Sequence, residues 1–181
     1  MTRVLVAFAS REGQTEKIAN YIAGRLASRG LEPVLVNLKT GQSEADVPSC
    51  GAAIIAGSVH RGRTDQELVS FIMRHGPTLR GGPSAFLCVS LSAASHDPND
   101  RAAIDELAQG FLFDVGWHPD EIRHVAGAVR DNRLNLLERY TVHAVMYQKD
   151  IPADPSGETE LTNWQDVDDF SDGFALRVSP F

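Results

Sequence analysis

A chain of 181 residues, 43% hydrophobic and 23% charged, has the composition of a soluble globular protein and the length to bury a real core in one domain, residues 1–181. Its formal net charge of -7 argues against general nucleic-acid binding. The two cysteines, Cys50 and Cys88, lie beside or within strand-like runs and read as free thiols of a reducing cytoplasm, and no apolar stretch suits a secretory signal or a bilayer span.

Arg3 to Ala9 is a continuous apolar run, which predicts a strand buried on both faces. Thr15 to Leu26 carries Ile18, Ile22 and Leu26 at helical spacing, widened by Ala19 and Ala23 and stopped by Gly30. Val34–Val36 and Ala52–Gly57 are the second and third strands. Thr64-x-x-Glu67 reads as a capping box for a helix with Leu68, Phe71, Ile72, His75 and Leu79 along one face. Ser84–Val89 is a fourth strand. Asp97-Pro98 has the pattern of an N-cap followed by proline, and Ile104, Leu107, Ala108, Phe111 and Val115 form the expected buried stripe of that helix. His124–Val129 is a fifth strand. A long connection, about 130–162, follows where a short one is the rule. Thr162-x-x-Gln165 reads as another capping box, opening a last helix edged by Trp164, Val167, Phe170 and Phe174.

Alternating strands and helices imply a parallel sheet covered on both faces. Five such units suggest the doubly wound order 2-1-3-4-5, with a long insertion after the fifth strand. Ligands of that architecture bind beyond the carboxyl ends of the strands, at the switch point between the first and third. Three loops meet there: Ser10–Thr15, Ser58–Arg63 and Ser90–Ala94.

The first loop opens onto a helix N-terminus, where free N–H groups and the helix dipole favour an anion. Ser10 and Thr15 add hydroxyls, and Gly13 allows close approach of the backbone to a phosphate. A plain strand-to-helix turn with Thr15 as cap is the simpler alternative. The chain has neither a Walker-type lysine loop nor Gly-x-Gly-x-x-Gly after the first strand. Ala9 and Ser10 stand where a phospho-receiver domain would need clustered aspartates.

Ser10-Arg-Glu-Gly-Gln-Thr15 after an apolar strand resembles the phosphate loop of the flavodoxin superfamily. More closely, it is similar to the branch containing the menaquinone-dependent protoporphyrinogen IX dehydrogenases, in which an acidic residue at the position of Glu12 is a branch feature. The resemblance continues through Gly57-Ser-Val-His60, Pro83-Ser-Ala-Phe86, Gly116-Trp-x-Pro119 and Ala126-Gly-Ala128 to the Thr162-x-Trp164 helix start. It implies a flavodoxin-like fold and noncovalent FMN. Its phosphate would rest on Ser10, Arg11, Gly13, Gln14 and Thr15. Its ring would lie between Ser58, Val59, His60, Arg61 and Gly62 on one side and Ser90, Leu91 and Ser92 on the other. The chemistry belongs to the flavin, and no residue is assigned as an essential acid or base. Glu12 is expected to point away from the phosphate, toward Arg11 or solvent.

Two features depart from the branch. Its usual Arg-Tyr-Gly-His is His60-Arg-Gly-Arg63 here, which replaces an aromatic with Arg61, whose guanidinium can itself stack on a flat ring. The insertion is less basic, with Asp131 and Glu138 among Arg130, Arg133, Arg139 and Lys149. Leu134, Leu137, Thr141, Val145 and Gln148 form one helical row and Leu136, Tyr140, His143 and Tyr147 another. They suit either an interfacial helix or one packed on its own domain. The six histidines form no metal-spaced set, Trp117 and Trp164 read as packing residues, and Asp166, Asp168, Asp169 and Asp172 read as a solvated helix face.

The resemblance therefore implies an FMN-dependent oxidoreductase of heme biosynthesis. It would oxidise protoporphyrinogen IX to protoporphyrin IX and pass electrons to menaquinone or ubiquinone, with Arg130 and Arg133 near the tetrapyrrole. Its expected place is the cytoplasm, with the insertion a candidate for peripheral contact with the inner face of the membrane. The alternatives are a flavodoxin-type electron carrier or quinone reductase with another partner, and a flavodoxin fold that has lost its flavin.

Overall fold

The computed structural model of the protein describes residues 1–40, 47, 49–60, 63–130, 142, 144–147, 151, 152, 154 and 156–179, with backbone alone at 59, 60, 63, 64 and 130. Five strands form the parallel sheet: β1 (Arg3–Phe8), β2 (Glu32–Asn37), β3 (Ala52–His60), β5 (Ser84–Ser90) and β6 (Glu121–Ala126). The spatial order is β2-β1-β3-β5-β6, the flavodoxin-like order 2-1-3-4-5 of the major strands. The short β4 (Arg63–Thr64) pairs antiparallel with the end of β3. The helices are α1 (Gln14–Ser28), α2 (Gln66–Leu79), α3 (Pro98–Asp114) and α4 (Trp164–Val178).

The apolar run in β1 splits by the strand's period of two. Val4, Val6 and Phe8 join α1 and α4 on one face, through Ile18, Ile22, Leu26, Phe170 and Phe174. Leu5, Ala7 and Ala9 face α2 and α3 on the other, with Leu68, Phe71, Ile72 and Leu112. Both faces are covered, so alternation is absent from the sequence. Each fully buried Ile, Leu or Phe contributes about 1.5–3 kcal/mol by leaving water. Trp117 is a core residue as expected, edge-on to Phe86 at 6.3 Å. Both cysteines are free; Cys88 is buried and Cys50 half-buried.

Several elements differ from their sequence patterns. The third strand runs on through Ser58, Val59 and His60, because β4 pairs with it at Val59↔Thr64 and His60↔Arg63. What reads as a loop is mostly a tight antiparallel pair. The expected fifth strand is two strands. Gly127 N–H donates to the Ser90 carbonyl and its own carbonyl accepts from Leu161, which turns the chain out of the main sheet. Beyond it β7 (Ala128–Arg130) pairs antiparallel with β8 (Glu158–Glu160), a hairpin that brackets the insertion. Within the insertion residues 144–147 are helical, with Met146 buried and Tyr147 exposed. The other positions of its two apolar rows, apart from Val145, lie outside the described residues. On α3, Ile104, Ala108 and Leu112 are buried, Phe111 and Val115 pack partly on the core, and Leu107 is largely exposed on the flank of the stripe.

Neither threonine of the expected capping boxes is the N-cap of its helix. Asp65, not Thr64, is the N-cap of α2, and its side chain makes no capping bond. Asn163, not Thr162, caps α4, its Oδ1 accepting from Gln165 N–H at 3.1 Å. Asp97 caps α3 as its pattern predicts, accepting from Asn99 N–H at 2.8 Å. The aspartates of α4 do more than face water. Asp168 accepts from the Tyr21 hydroxyl at 2.9 Å and pairs with Arg25 at 2.9 Å, and Asp172 holds Arg25 and Arg29.

Candidate active site

Register brings three loops to the carboxyl edge of the sheet. Phe8 lies opposite Ala56, Ser58 opposite Val89 and Ser90 opposite Ala126. Ala9 N–H closes onto the Ala56 carbonyl at 3.1 Å. The residues after β1, at the end of β3 and after β5 therefore stand side by side, where the doubly wound topology puts a ligand.

The first loop is built around Gly13. Its φ of 90° is left-handed, a conformation that glycine adopts without steric cost. Its N–H donates to Ser10 Oγ at 3.0 Å, which leaves the Ser10 proton free to donate outward. Gly13 is the N-cap of α1 and no side chain caps that helix. The first helical bond runs from Lys17 N–H to the Gly13 carbonyl at 3.0 Å, so the N–H groups of Gln14, Thr15 and Glu16 precede it. Gln14 and Thr15 are buried. Thr15 sits one turn position inside the helix, so it is not the cap.

Arg11 turns away from this donor set. Its Nε donates to Asp65 Oδ1 at 2.8 Å, and Lys39 Nζ reaches the same oxygen at 3.0 Å. Glu67 accepts a longer bond from Lys39 at 3.4 Å. The Asp65 side chain is 3% exposed, against 63% for Arg11. Burial pushes the Asp65 carboxyl up, but the hydrogen bonds and charges of Arg11 and Lys39 outweigh it and hold it below the ordinary carboxylate value. The Arg11 guanidinium is held charged by Asp65, with Glu67 and Glu12 adding to the field. Sequence reasoning missed Asp65 and Lys39, because an aspartate just before a helix reads as a cap and the lysine as a surface charge.

Gln14 ties the loop to the far end of the chain. Its Nε2 donates to Thr162 Oγ1 at 2.8 Å and to Glu160 Oε1 at 3.2 Å. The Thr162 hydroxyl donates in turn to the Ala126 carbonyl at 2.7 Å, at the end of β6. Glu160 also accepts from Lys17 Nζ at 2.7 Å and Trp164 Nε1 at 2.8 Å. Burial raises the Glu160 carboxyl, and bonds from Lys17 and Gln14 bring it below its ordinary value. Gln14 Oε1 is buried and without a partner.

The remaining expected site residues fall around this loop. Ser58 is buried in β3, and a Cβ at its neighbour Gly57 would lie 2.4 Å from Leu68 Cδ2, so the helix packs directly on the strand end. Ser90 Oγ accepts from Ala93 N–H at 3.2 Å and starts the turn that carries Leu91 and Ser92. Val59 and His60 belong to β3 and Arg130 to β7 by their backbones. Arg61, Gly62 and Arg133 lie outside the described residues. Among the described residues no cluster of three His, Cys, Asp or Glu side chains could hold a metal, and no helix is long and apolar enough to cross a membrane.

Residues 5–156 match the model of a family described as a flavodoxin domain. The chain belongs to the flavodoxin domain family. It is 28% identical over 170 residues, 93% of its own length and 92% of the relative's, to a protein of Escherichia coli K12 named protoporphyrinogen IX dehydrogenase [quinone]. Among solved structures it is similar to oxidised flavodoxin 1 of Bacillus cereus, with a TM-score of 0.58 and 17% identity over 98% of this chain and 100% of that one. It is likewise similar to oxidised flavodoxin 2 of the same organism, with a TM-score of 0.54 and 17% identity over 96% and 97% of the two chains.

The family implies FMN as cofactor, and the residues fit it. A flavodoxin domain offers an anion uncapped helix N–H groups and hydroxyls, which is the donor set found at Ser10 to Thr15. Gln14 Oε1 is a buried, unpaired acceptor on the residue whose backbone N–H opens that set. FMN supplies a ring that takes up a hydride or electrons in turn. The flavodoxin domain supplies binding, orientation and the shape of the mouth. Family and relatives together make the chain an FMN-type oxidoreductase.

Proposed function

We propose that this FMN-type oxidoreductase acts as a protoporphyrinogen IX dehydrogenase, taking hydrogen from the porphyrinogen and delivering electrons to a quinone in heme biosynthesis. The observation that carries the reading is the 28% identity to the dehydrogenase across 93% of this chain and 92% of the relative. Ser10, Arg11, Gly13, Gln14 and Thr15 would hold the phosphate, with Arg11 contributing its backbone while its guanidinium serves Asp65. Ser58, Val59, His60, Arg61 and Gly62 and then Ser90, Leu91 and Ser92 would flank the ring. Arg130 and Arg133 would meet the tetrapyrrole. The whole chain would work as one domain in the cytoplasm, with the insertion touching the inner face of the membrane where the quinone resides.

The test is a steady-state assay of the FMN-loaded protein with protoporphyrinogen IX and menaquinone. Protoporphyrin fluorescence rising with quinone-dependent turnover is the expected result. FMN-loaded protein that reduces other acceptors but never turns over porphyrinogen would overturn the substrate assignment. The net charge of -7 favours a second reading, an electron carrier for a protein partner. Such a carrier would shuttle electrons to a protein acceptor and leave porphyrinogen untouched.

A further inference from the structure

Glu160 stands at a junction that the flavin chemistry does not require. It lies on β8, one leg of the hairpin that brackets the insertion, yet its carboxylate reaches α1 and α4. Oε1 accepts from Gln14 Nε2 and Trp164 Nε1, and Oε2 accepts from Lys17 Nζ. Trp164 is fixed from the other side by Tyr21, 4.7 Å between ring centroids, and by the Lys17 ammonium 5.2 Å over its ring. The group is therefore locked on three elements.

The residue that gains most from this lock is Gln14. It is the first residue of α1, so its backbone N–H belongs to the set that would bind an anion, while the residue is only 4% exposed and its side chain turns to Glu160 and Thr162. A glutamine amide can sit in two flipped orientations. An ionised carboxylate only accepts, so Glu160 admits the NH2 end and repels the carbonyl end. Thr162 supports the same choice, since its proton is already given to the Ala126 carbonyl and it can only accept from Gln14. The outcome is that Gln14 Oε1 is buried and unpaired.

We infer that Glu160 is a positioning residue for the phosphate loop: it fixes Gln14, and through Gln14 it makes FMN affinity depend on the β7–β8 hairpin. The inference rests on the reading of the chain as an FMN protein. Linkage requires the dependence to be mutual, so FMN must steady the hairpin by the factor by which the hairpin strengthens FMN. The carboxylate's own charge is balanced by Lys17, so it does not oppose an anion on the loop.

The experiment measures FMN and riboflavin binding by flavin fluorescence quenching, and amide hydrogen exchange at 128–130 and 158–160, on the full chain and on E160A and E160Q. In the unaltered chain FMN should slow hairpin exchange about tenfold, and E160A should weaken FMN by a similar factor, as mutual coupling demands. Riboflavin, which lacks the phosphate, should change by less than about twofold. E160Q keeps an acceptor for Gln14 and Trp164 and should recover most of the loss. A merely structural role would lower FMN and riboflavin affinity together, and that result overturns the inference. So does hairpin exchange in the unaltered chain that ignores FMN, a measurement that stands even if E160A fails to fold. Absence of any FMN quenching by the unaltered chain would instead overturn the flavoprotein reading itself.

Discussion

Replacing Asp65 with asparagine removes one charge and almost no volume from the junction of the phosphate loop, the end of β2 and the start of α2. Asp65 Oδ1 takes two charge-assisted hydrogen bonds, from Arg11 Nε at 2.8 Å and Lys39 Nζ at 3.0 Å, while Oδ2 is buried and unpaired. A hydrogen bond to a charged group contributes about 1.5–3 kcal/mol, but Arg11 is 63% exposed and water screens its share. Asparagine keeps a neutral acceptor for Arg11, so the net loss is about 2 kcal/mol. For a chain of this size that lowers the melting temperature by about 4–8 °C. The sign with pH follows from the direction of the shift. The folded carboxyl titrates below its ordinary value of 3.8, so its contribution is fully present above that pH and fades as pH falls through the lower folded value. Denaturant unfolding of both proteins from neutral pH down to about pH 3 should show a gap that is constant above about pH 5 and shrinks below about pH 4. A gap that stays constant across that range, or no gap at pH 7, would refute the assignment of Asp65 as the ion-paired centre of this junction.

The loop itself makes a sharper contrast. Gly13 has φ 90°, so G13V forces a β-branched residue into a left-handed conformation at a cost of at least about 1–2 kcal/mol, and FMN quenching titrations should show affinity down by about tenfold or more. E12A should change the same constant by less than about threefold, because backbone N–H groups rather than the side chain at position 12 face the anion. G82A would bring a Cβ to 1.9 Å from the Gly51 carbonyl oxygen, backbone against backbone, and should cost about 3 kcal/mol, seen as a melting temperature lower by about 6–12 °C. His75 packs 4.5 Å from Phe71 with Nε2 buried and unpaired, and burial, then the charge of Arg74, pulls its pKa below 6.5. The folded chain resists protonating it, so stability falls as pH drops below the unfolded value, and H75L should flatten the unfolding profile between about pH 7 and pH 5.

The sheet was legible because its strands are covered on both faces: Val4 to Ala9 and Ala52 to Ala56 read as continuous apolar runs whichever side each residue takes. The left-handed turn before α1 was legible because Gly13 serves backbone geometry, which is local. Partner choice across the fold was not. Thr162 and Thr64 fit the capping pattern, yet Thr162 lies next to Gln14, 148 residues away in sequence, and the hydroxyl goes there instead. The aspartates of α4 look solvated in sequence because the side chains they meet lie far away along the chain. Arg25 and Arg29 arrive only when α1 packs alongside. The same holds for Asp65, whose cations come from positions 11 and 39. Gly127 read as part of a strand because its neighbours are apolar; its bonds to Ser90 and Leu161 show the chain leaving the sheet at that point.

The two junctions that flank the loop before α1 share a consequence for how an anion would be held there. Arg11 and Lys17 are the cations of the loop and of the first turn of α1, and each is engaged by a carboxylate, Asp65 and Glu160. Among the described residues, the groups of this loop that a phosphate would meet are therefore neutral: N–H dipoles of Gln14, Thr15 and Glu16 and the hydroxyl of Ser10. Short-range dipoles in a half-buried turn are screened by salt less than exposed charges are. FMN affinity should accordingly change by less than about threefold between about 0.05 and 0.5 M sodium chloride, whereas a phosphate held mainly by side-chain cations would weaken by on the order of tenfold. Riboflavin titrated in parallel removes any salt effect on the ring. A steep salt dependence confined to FMN would refute the neutral-donor account and point to a cation from the segment between β3 and β4, where Arg61 is the candidate. A flat response would mean that the carboxylates at 65 and 160 occupy the nearby cations and leave the anion to neutral donors.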